Sequence, residues 1–238
     1  MAPGRSRGLL AALFIAAALA AGCKTTSSTD LATDGISADI LVSATSVLAS
    51  SVRVQMSPGD VAVPTDVVSL DGGDALYAEA GGQRKQMGAG NRDYETTFGT
   101  GLADTAFRII LDRARPDQVD APDSLGTLPA PFGLVDLGGA DISQTQDLVL
   151  TWSPSGTPDR MVLEIAGSCV EDRAITIDGD PGSLMLSAAT LMPETIPSSC
   201  LVTLTLHRER TGVVDANLNP GSTFLLEQVR KTTFTSHR

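Results

Sequence analysis

Few side chains in this 238-residue sequence can do chemistry, and their spacing narrows what that chemistry could be. The histidines are His207 and His237, and the cysteines are Cys23, Cys169 and Cys200. A zinc centre of the usual kind needs several His or Cys ligands within reach, so no metal site, no cofactor and no catalytic residue is expected. His207 falls on the outward side of an alternating apolar run and reads as a solvated residue rather than a general base. No Gly-x-Ser-x-Gly elbow marks a serine hydrolase. The pairs Gly72-Gly73 and Gly81-Gly82 lack the flanking Lys and Ser or Thr of a phosphate loop and read as turns.

Carboxylates and guanidiniums are the remaining candidates. Asp71-Gly72-Gly73-Asp74 and Asp178-Gly179-Asp180 are the ordinary way to build a tight turn between strands. The alternative, a weak calcium site, would need six to eight oxygens, more than either stretch supplies. An internal repeat carries the arginines. Leu111-Asp112-Arg113-Ala114-Arg115 leads into Val119-Asp120-Ala121, and Leu206-His207-Arg208-Glu209-Arg210 leads into Val214-Asp215-Ala216. The common pattern is L-x-R-x-R-x-x-x-V-D-A. In extended backbone the two arginines of each pair project from one face. Arg113, Arg115, Arg208 and Arg210 could therefore grip a planar anion or a partner; the plainer expectation is a solvated strand end, balanced by neighbours such as Asp112, Asp117 and Glu209. Asp120 and Asp215 are expected to hydrogen-bond their own loop backbone.

The elements that would position these groups begin after a distinctive leader. Arg5 and Arg7 precede the uncharged apolar run Leu9 to Ala21, which as a helix would rise about 20 Å, short of a hydrocarbon core of about 30 Å. Leu19-Ala20-Ala21-Gly22-Cys23 then gives way to the polar Lys24-Thr25-Thr26-Ser27-Ser28-Thr29. This stretch resembles the lipobox of bacterial lipoproteins, with Ala20 where leucine is preferred. The resemblance implies a signal peptide over 1–22, a lipidated Cys23, and a membrane partner reached through two or three acyl chains. Lys24 in place of aspartate leans the address towards the outer membrane of a bacterial envelope. If Cys23 carries lipid, Cys169 and Cys200 remain as a pair that an oxidising compartment would close, stabilising by about 3.7 kcal/mol in the chain-entropy model; two separate buried thiols are the alternative.

Composition bounds the rest. The formal charge is −11, and loss of Arg5 and Arg7 with the leader makes the remainder more acidic, which argues against a nucleic-acid partner. Residues 23–37 are polar and aperiodic, and are expected to be a short flexible tether. Beyond them, short Val, Leu, Ile and Thr runs are separated by Gly, Pro, Asp and Asn, and no convincing amphipathic helix is found. The predicted strands lie near Ile40–Ala44, Ser51–Met56, Val67–Leu70, Ala75–Ala80, Tyr94–Phe98 and Ala106–Leu111. After the extended boundary Leu128-Pro129-Ala130-Pro131-Phe132 they resume near Asp147–Trp152, Met161–Ala166, Ala174–Ile177, Ser183–Leu186, Leu201–His207, Ser222–Gln228 and Val229–Thr235.

Leu148, Leu150 and Trp152 alternate inward, as do Met161, Leu163 and Ile165 on the next run. In this the second half resembles an immunoglobulin or fibronectin type III module, and the first half does so less clearly. Trp152 precedes both cysteines instead of lying between them, a departure from the antibody-type arrangement. The resemblance implies an all-β chain of two tandem immunoglobulin-like β-sandwich domains, 38–134 and 135–238. The function expected is that of a non-enzymatic, membrane-anchored envelope lipoprotein making protein or glycan contacts. A structural spacer or assembly subunit is the alternative, and an accessory hydrolase a weaker one.

Overall fold

A computed structural model describes residues 25–59, 66–90, 92–191 and 199–237. The leader and Cys23 lie outside the described residues. Strand formation follows the two-residue alternation of buried side chains: Ile36, Ala38, Ile40, Val42 and Ala44 face inward from one strand, and Val52, Val54 and Met56 from the next. The first half holds β1 (Thr25–Ser27), β2 (Ile36–Ser46), β3 (Ala49–Pro58), β4 (Val67–Ser69), β5 (Ala75–Ala80), β6 (Gln83–Gln86), β7 (Gly88–Ala89), β8 (Tyr94–Phe98), β9 (Ala106–Asp112) and β10 (Ala121–Thr127). The second holds β11 (Gly133–Leu134), β12 (Asp141–Ser143), β13 (Leu148–Ser153), β14 (Arg160–Gly167), β15 (Arg173–Ile177), β16 (Ser183–Leu186), β17 (Ser199–Thr211) and β18 (Thr223–His237).

The two halves repeat one plan. A sheet ordered β10-β9-β5-β6 covers β2, β3 and β8, and its counterpart β18-β17-β14-β15 covers β11, β13 and β16. Each is an immunoglobulin-like sandwich with its own core, one built on Val42, Val54, Phe107 and Ile109, the other on Leu150, Trp152, Leu163 and Leu204. The repeated arginine motif begins in β9 and β17, which occupy the same place in the two sheets. The inward sets Phe107, Ile109, Leu111 and Val202, Leu204, Leu206 are all buried, as their shared alternation implies.

The sandwiches are not separate beads. β18 pairs with β17 through Leu225–His237, and through Thr223–Gln228 it also runs parallel to Asp39–Ala44 of β2. One nine-stranded sheet therefore crosses both halves, ordered β15-β14-β17-β18-β2-β3-β8-β7, with β12 added beside the far end of β18. The division at 134/135 needs correction on this point: Leu218, Phe224 and Leu226 belong to the first core, while Phe234 belongs to the second. The runs at Ser222–Gln228 and Val229–Thr235 are likewise one strand of 15 residues. Phe224, Leu226, Gln228, Thr232, Phe234 and Ser236 are buried along it, and it passes from one core to the other.

A second correction concerns the tether. Residues 25–35 are built into the first sandwich: β1 pairs with β4, two 3-10 turns follow, and Ser28 and Thr33 are buried. The polar hydroxyl run looked like linker by composition, yet its backbone carbonyls are held by the arginines described below. β10 was not foreseen, because Pro122 and Gly126 dilute its pattern. Pro122 sits where its register with β9 shifts, and a Cβ on Gly126 would run into Leu226 of β18.

Candidate functional site

The sequence singled out repeated arginines and Asp-Gly turns separately; the structure joins them. Gly72, Gly73 and Gly179 have positive φ, so both acidic stretches are turns as expected, and each delivers its last aspartate to a repeated arginine. Arg113 Nε lies 3.0 Å from Asp74 Oδ2, with neither side chain exposed. Arg208 Nη2 lies 2.8 Å from Asp180 Oδ2, also with neither exposed. Asp74 also accepts from Ser28 Oγ at 2.7 Å and Ala114 N at 2.9 Å. Asp180 accepts from Trp152 Nε1 at 2.7 Å and from Thr157 N and Oγ1 at 3.0 and 2.9 Å. Burial opposes ionisation of Asp180, but those donors and the Arg208 charge hold its carboxyl below the usual range.

Other guanidinium donors of the repeat grip backbone. Arg113 Nη2 donates to Ser28 O at 2.7 Å and Leu31 O at 3.0 Å, and Arg115 Nη1 to Thr29 O at 2.9 Å. In the second copy Arg208 Nη1 donates to Ala130 O at 2.8 Å, and Arg210 Nη1 to Leu128 O at 3.2 Å. Both copies thus do the same work: each clamps the segment leading into its own sandwich. At the junction Gln228 Nε2 reaches Pro129 O at 3.2 Å, and Arg230 Nε reaches Phe132 O at 2.8 Å. The Phe132 ring lies 4.8 Å from the Arg208 guanidinium and 5.4 Å from that of Arg230. Pro129 and Pro131 have no N–H to give; Leu128 O also accepts from Asp104 N at 2.9 Å, while the carbonyls of Pro129, Ala130 and Phe132 take side-chain donors.

This corrects the reading of Arg113, Arg208 and Arg210 as partner contacts or solvated ends, whereas Arg115 keeps the exposed position expected of a strand end. Arg113 and Arg208 have no exposed surface to offer. Arg210 is committed to Asp159 at 2.8 Å and Asp104 at 2.9 Å. Arg115 is exposed, with its Nη1 spent on Thr29. The repeated aspartates hold loop backbone as expected: Asp120 accepts from Arg113 N at 2.7 Å, and Asp215 from Asn217 N at 2.8 Å. Asp215 also accepts from Asp123 N of β10 at 2.7 Å, across the two halves. Cys169 and Cys200 form the disulfide. It closes the β14 and β17 ladder just beyond the pair Gly167 and Val202.

β17 sorts its polar side chains by parity. Arg208 and Arg210 turn inward with Leu204 and Leu206, which leaves His207 and Glu209 on the outer face of the nine-stranded sheet. There His207 Nδ1 is 2.8 Å from Glu227 Oε2 of β18, and Nε2 is 3.4 Å from Glu164 Oε2 of β14. Glu209 sits directly opposite Glu227 in the β17–β18 register, with Arg160 Nε 3.6 Å from its carboxylate. His207 is not solvated as expected: its side chain is 14% exposed. Burial disfavours the imidazolium, yet the Glu227 hydrogen bond and the charges of Glu227, Glu164 and Glu209 overcome it and raise the pKa. Burial raises that of Glu209, helped by Glu227 and Glu164 and opposed by Arg160 and His207. Sequence reasoning missed Glu164 and Glu227, because they reach His207 through strand register and no local spacing betrays them.

No family model matches the sequence, and no curated protein matches it. Solved structures with a likeness include a two fibronectin type III domain segment from chicken tenascin, 12% identical, with a TM-score of 0.24 over 82% of this chain and 98% of that one. The FN1–FN3 domains of chicken CNTN1 are 7% identical, with a TM-score of 0.32 over 91% of this chain and 69% of that one. Likenesses this loose carry no argument, and the sandwich assignment rests on strand order and cores.

Proposed function

We propose that the protein is a non-enzymatic, lipid-anchored lipoprotein of the bacterial envelope, most naturally at the outer membrane, whose stiff pair of sandwiches makes protein or glycan contacts. The observation that carries this reading is the run Leu19-Ala20-Ala21-Gly22-Cys23 standing two residues ahead of β1. A lipid on Cys23 would leave at most about 7 Å of backbone before Thr25, so the first sandwich would rest almost on the headgroups. The Cys169–Cys200 disulfide suits an oxidising compartment. The buried polar groups at the two clamps are engaged in holding the framework, which fits a scaffold better than a turnover site. The clamped Leu128–Phe132 junction also favours a second reading, a rigid spacer within a larger envelope assembly.

Radiolabelled palmitate, supplied to cells making wild type or Cys23→Ala, tests the anchor. Label and membrane fractionation should both be lost in the variant; unlabelled wild type, or a variant that stays in the membrane, overturns the anchor. In-cell cross-linking separates the two readings, since a spacer gives one dominant protein neighbour.

A further inference from the structure

The outer-face cluster has a composition that the clamps do not explain. Three strands of the nine-stranded sheet bring Glu164, Glu209 and Glu227 around a single imidazole. One side of the ring is already arranged as a coordination sphere: the ligand atoms of His207, Glu209 and Glu227 all lie within 4.8 Å of one another. Zinc bonds of about 2.0–2.2 Å at tetrahedral angles would set neighbouring donors about 3.4 Å apart, which small side-chain rotations on a fixed sheet can supply. The other side of the ring carries what a ligating histidine needs, since a metal-bound imidazole usually gives its second N–H to a carboxylate. Here Nε2 faces Glu164 Oε2 at 3.4 Å and, although buried, has no hydrogen-bond partner among the described residues.

We propose that His207, Glu209 and Glu227 bind a divalent transition-metal cation, with zinc the best fit, and that Glu164 orients the imidazole from behind. The donor set selects the metal. One nitrogen and two carboxylates suit zinc, whereas calcium would want six to eight oxygens. The cation compensates the carboxylate excess that Arg160, with its side chain 62% exposed, offsets only weakly. Three protein ligands leave one position open to water or to a ligand atom from a partner. The single ion would join β17 to β18 at the level where the two sandwiches meet.

Zinc titration by calorimetry, on the mature chain treated with chelator and exchanged into a non-coordinating buffer, tests the site. The expected result is one equivalent bound, with at least tenfold weaker binding in His207→Gln and in Glu209→Gln, unchanged binding in His237→Ala, and no response to calcium. X-ray absorption at the zinc edge of the wild-type complex should show only nitrogen and oxygen donors with a single imidazole, a readout that stands even if a variant fails to fold. Absence of zinc uptake by wild type, undiminished binding in His207→Gln, or a spectrum without imidazole overturns the proposal.

Discussion

Arg208 shows why a buried ion pair can matter without adding net stability. Desolvating a guanidinium and a carboxylate costs about as much as their attraction returns, but removing one partner strands the other. Arg208→Met should therefore cost about 3–5 kcal/mol in denaturant unfolding, and adding Asp180→Asn should recover a large part of that. A loss under about 1 kcal/mol would mean that Trp152 and Thr157 alone suffice for Asp180. His207 predicts a pH effect of the opposite kind to an acid. Its pKa is raised in the folded protein, so its stabilisation is fully present below the unfolded value of about 6.5 and is lost as pH rises through the folded value. In chelator-containing buffer, melting curves of wild type and His207→Gln should differ most at pH 6 and converge at alkaline pH. At this scale the sequence was half legible: the repeat named the right arginines and the right Asp-Gly turns, but linear spacing cannot show that Asp74 meets Arg113 or that Asp180 meets Arg208.

Among the elements, the strands with clean alternation were readable and those with a mixed role were not. Ala75–Ala80, Tyr94–Phe98 and Ser183–Leu186 form where periodicity puts them. β6, with the sequence Gln-Arg-Lys-Gln, pairs on the sheet edge and carries no apolar signal at all. β18 was readable as apolar text but was divided, because Gln228, Arg230 and Thr232 interrupt its inward face between Leu226 and Phe234. Those polar residues are there because that stretch lies on the junction instead of on a core. The consequence can be measured: a fragment covering residues 25–134 lacks Leu218, Phe224 and Leu226 and should fail to give the cooperative melt or dispersed amide spectrum of a folded sandwich. A stable, dispersed fragment would show that β18 only decorates the first core.

For the whole molecule, length and turn spacing announced two sandwiches, and the repeat announced that they share a plan. What could not be read was their fusion, since parallel pairing of β2 with a strand nearly two hundred residues later leaves no local mark. The same geometry has a mechanical meaning. β2 starts beside the docked N-terminal segment, and β18 runs alongside it in the same direction for six paired positions before continuing into the second sandwich. Tension between Thr25 and His237 would drag these strands lengthwise past each other, so their hydrogen bonds share the load together and cannot be unzipped singly. Pulled from a surface, the molecule is loaded in shear along its own spine.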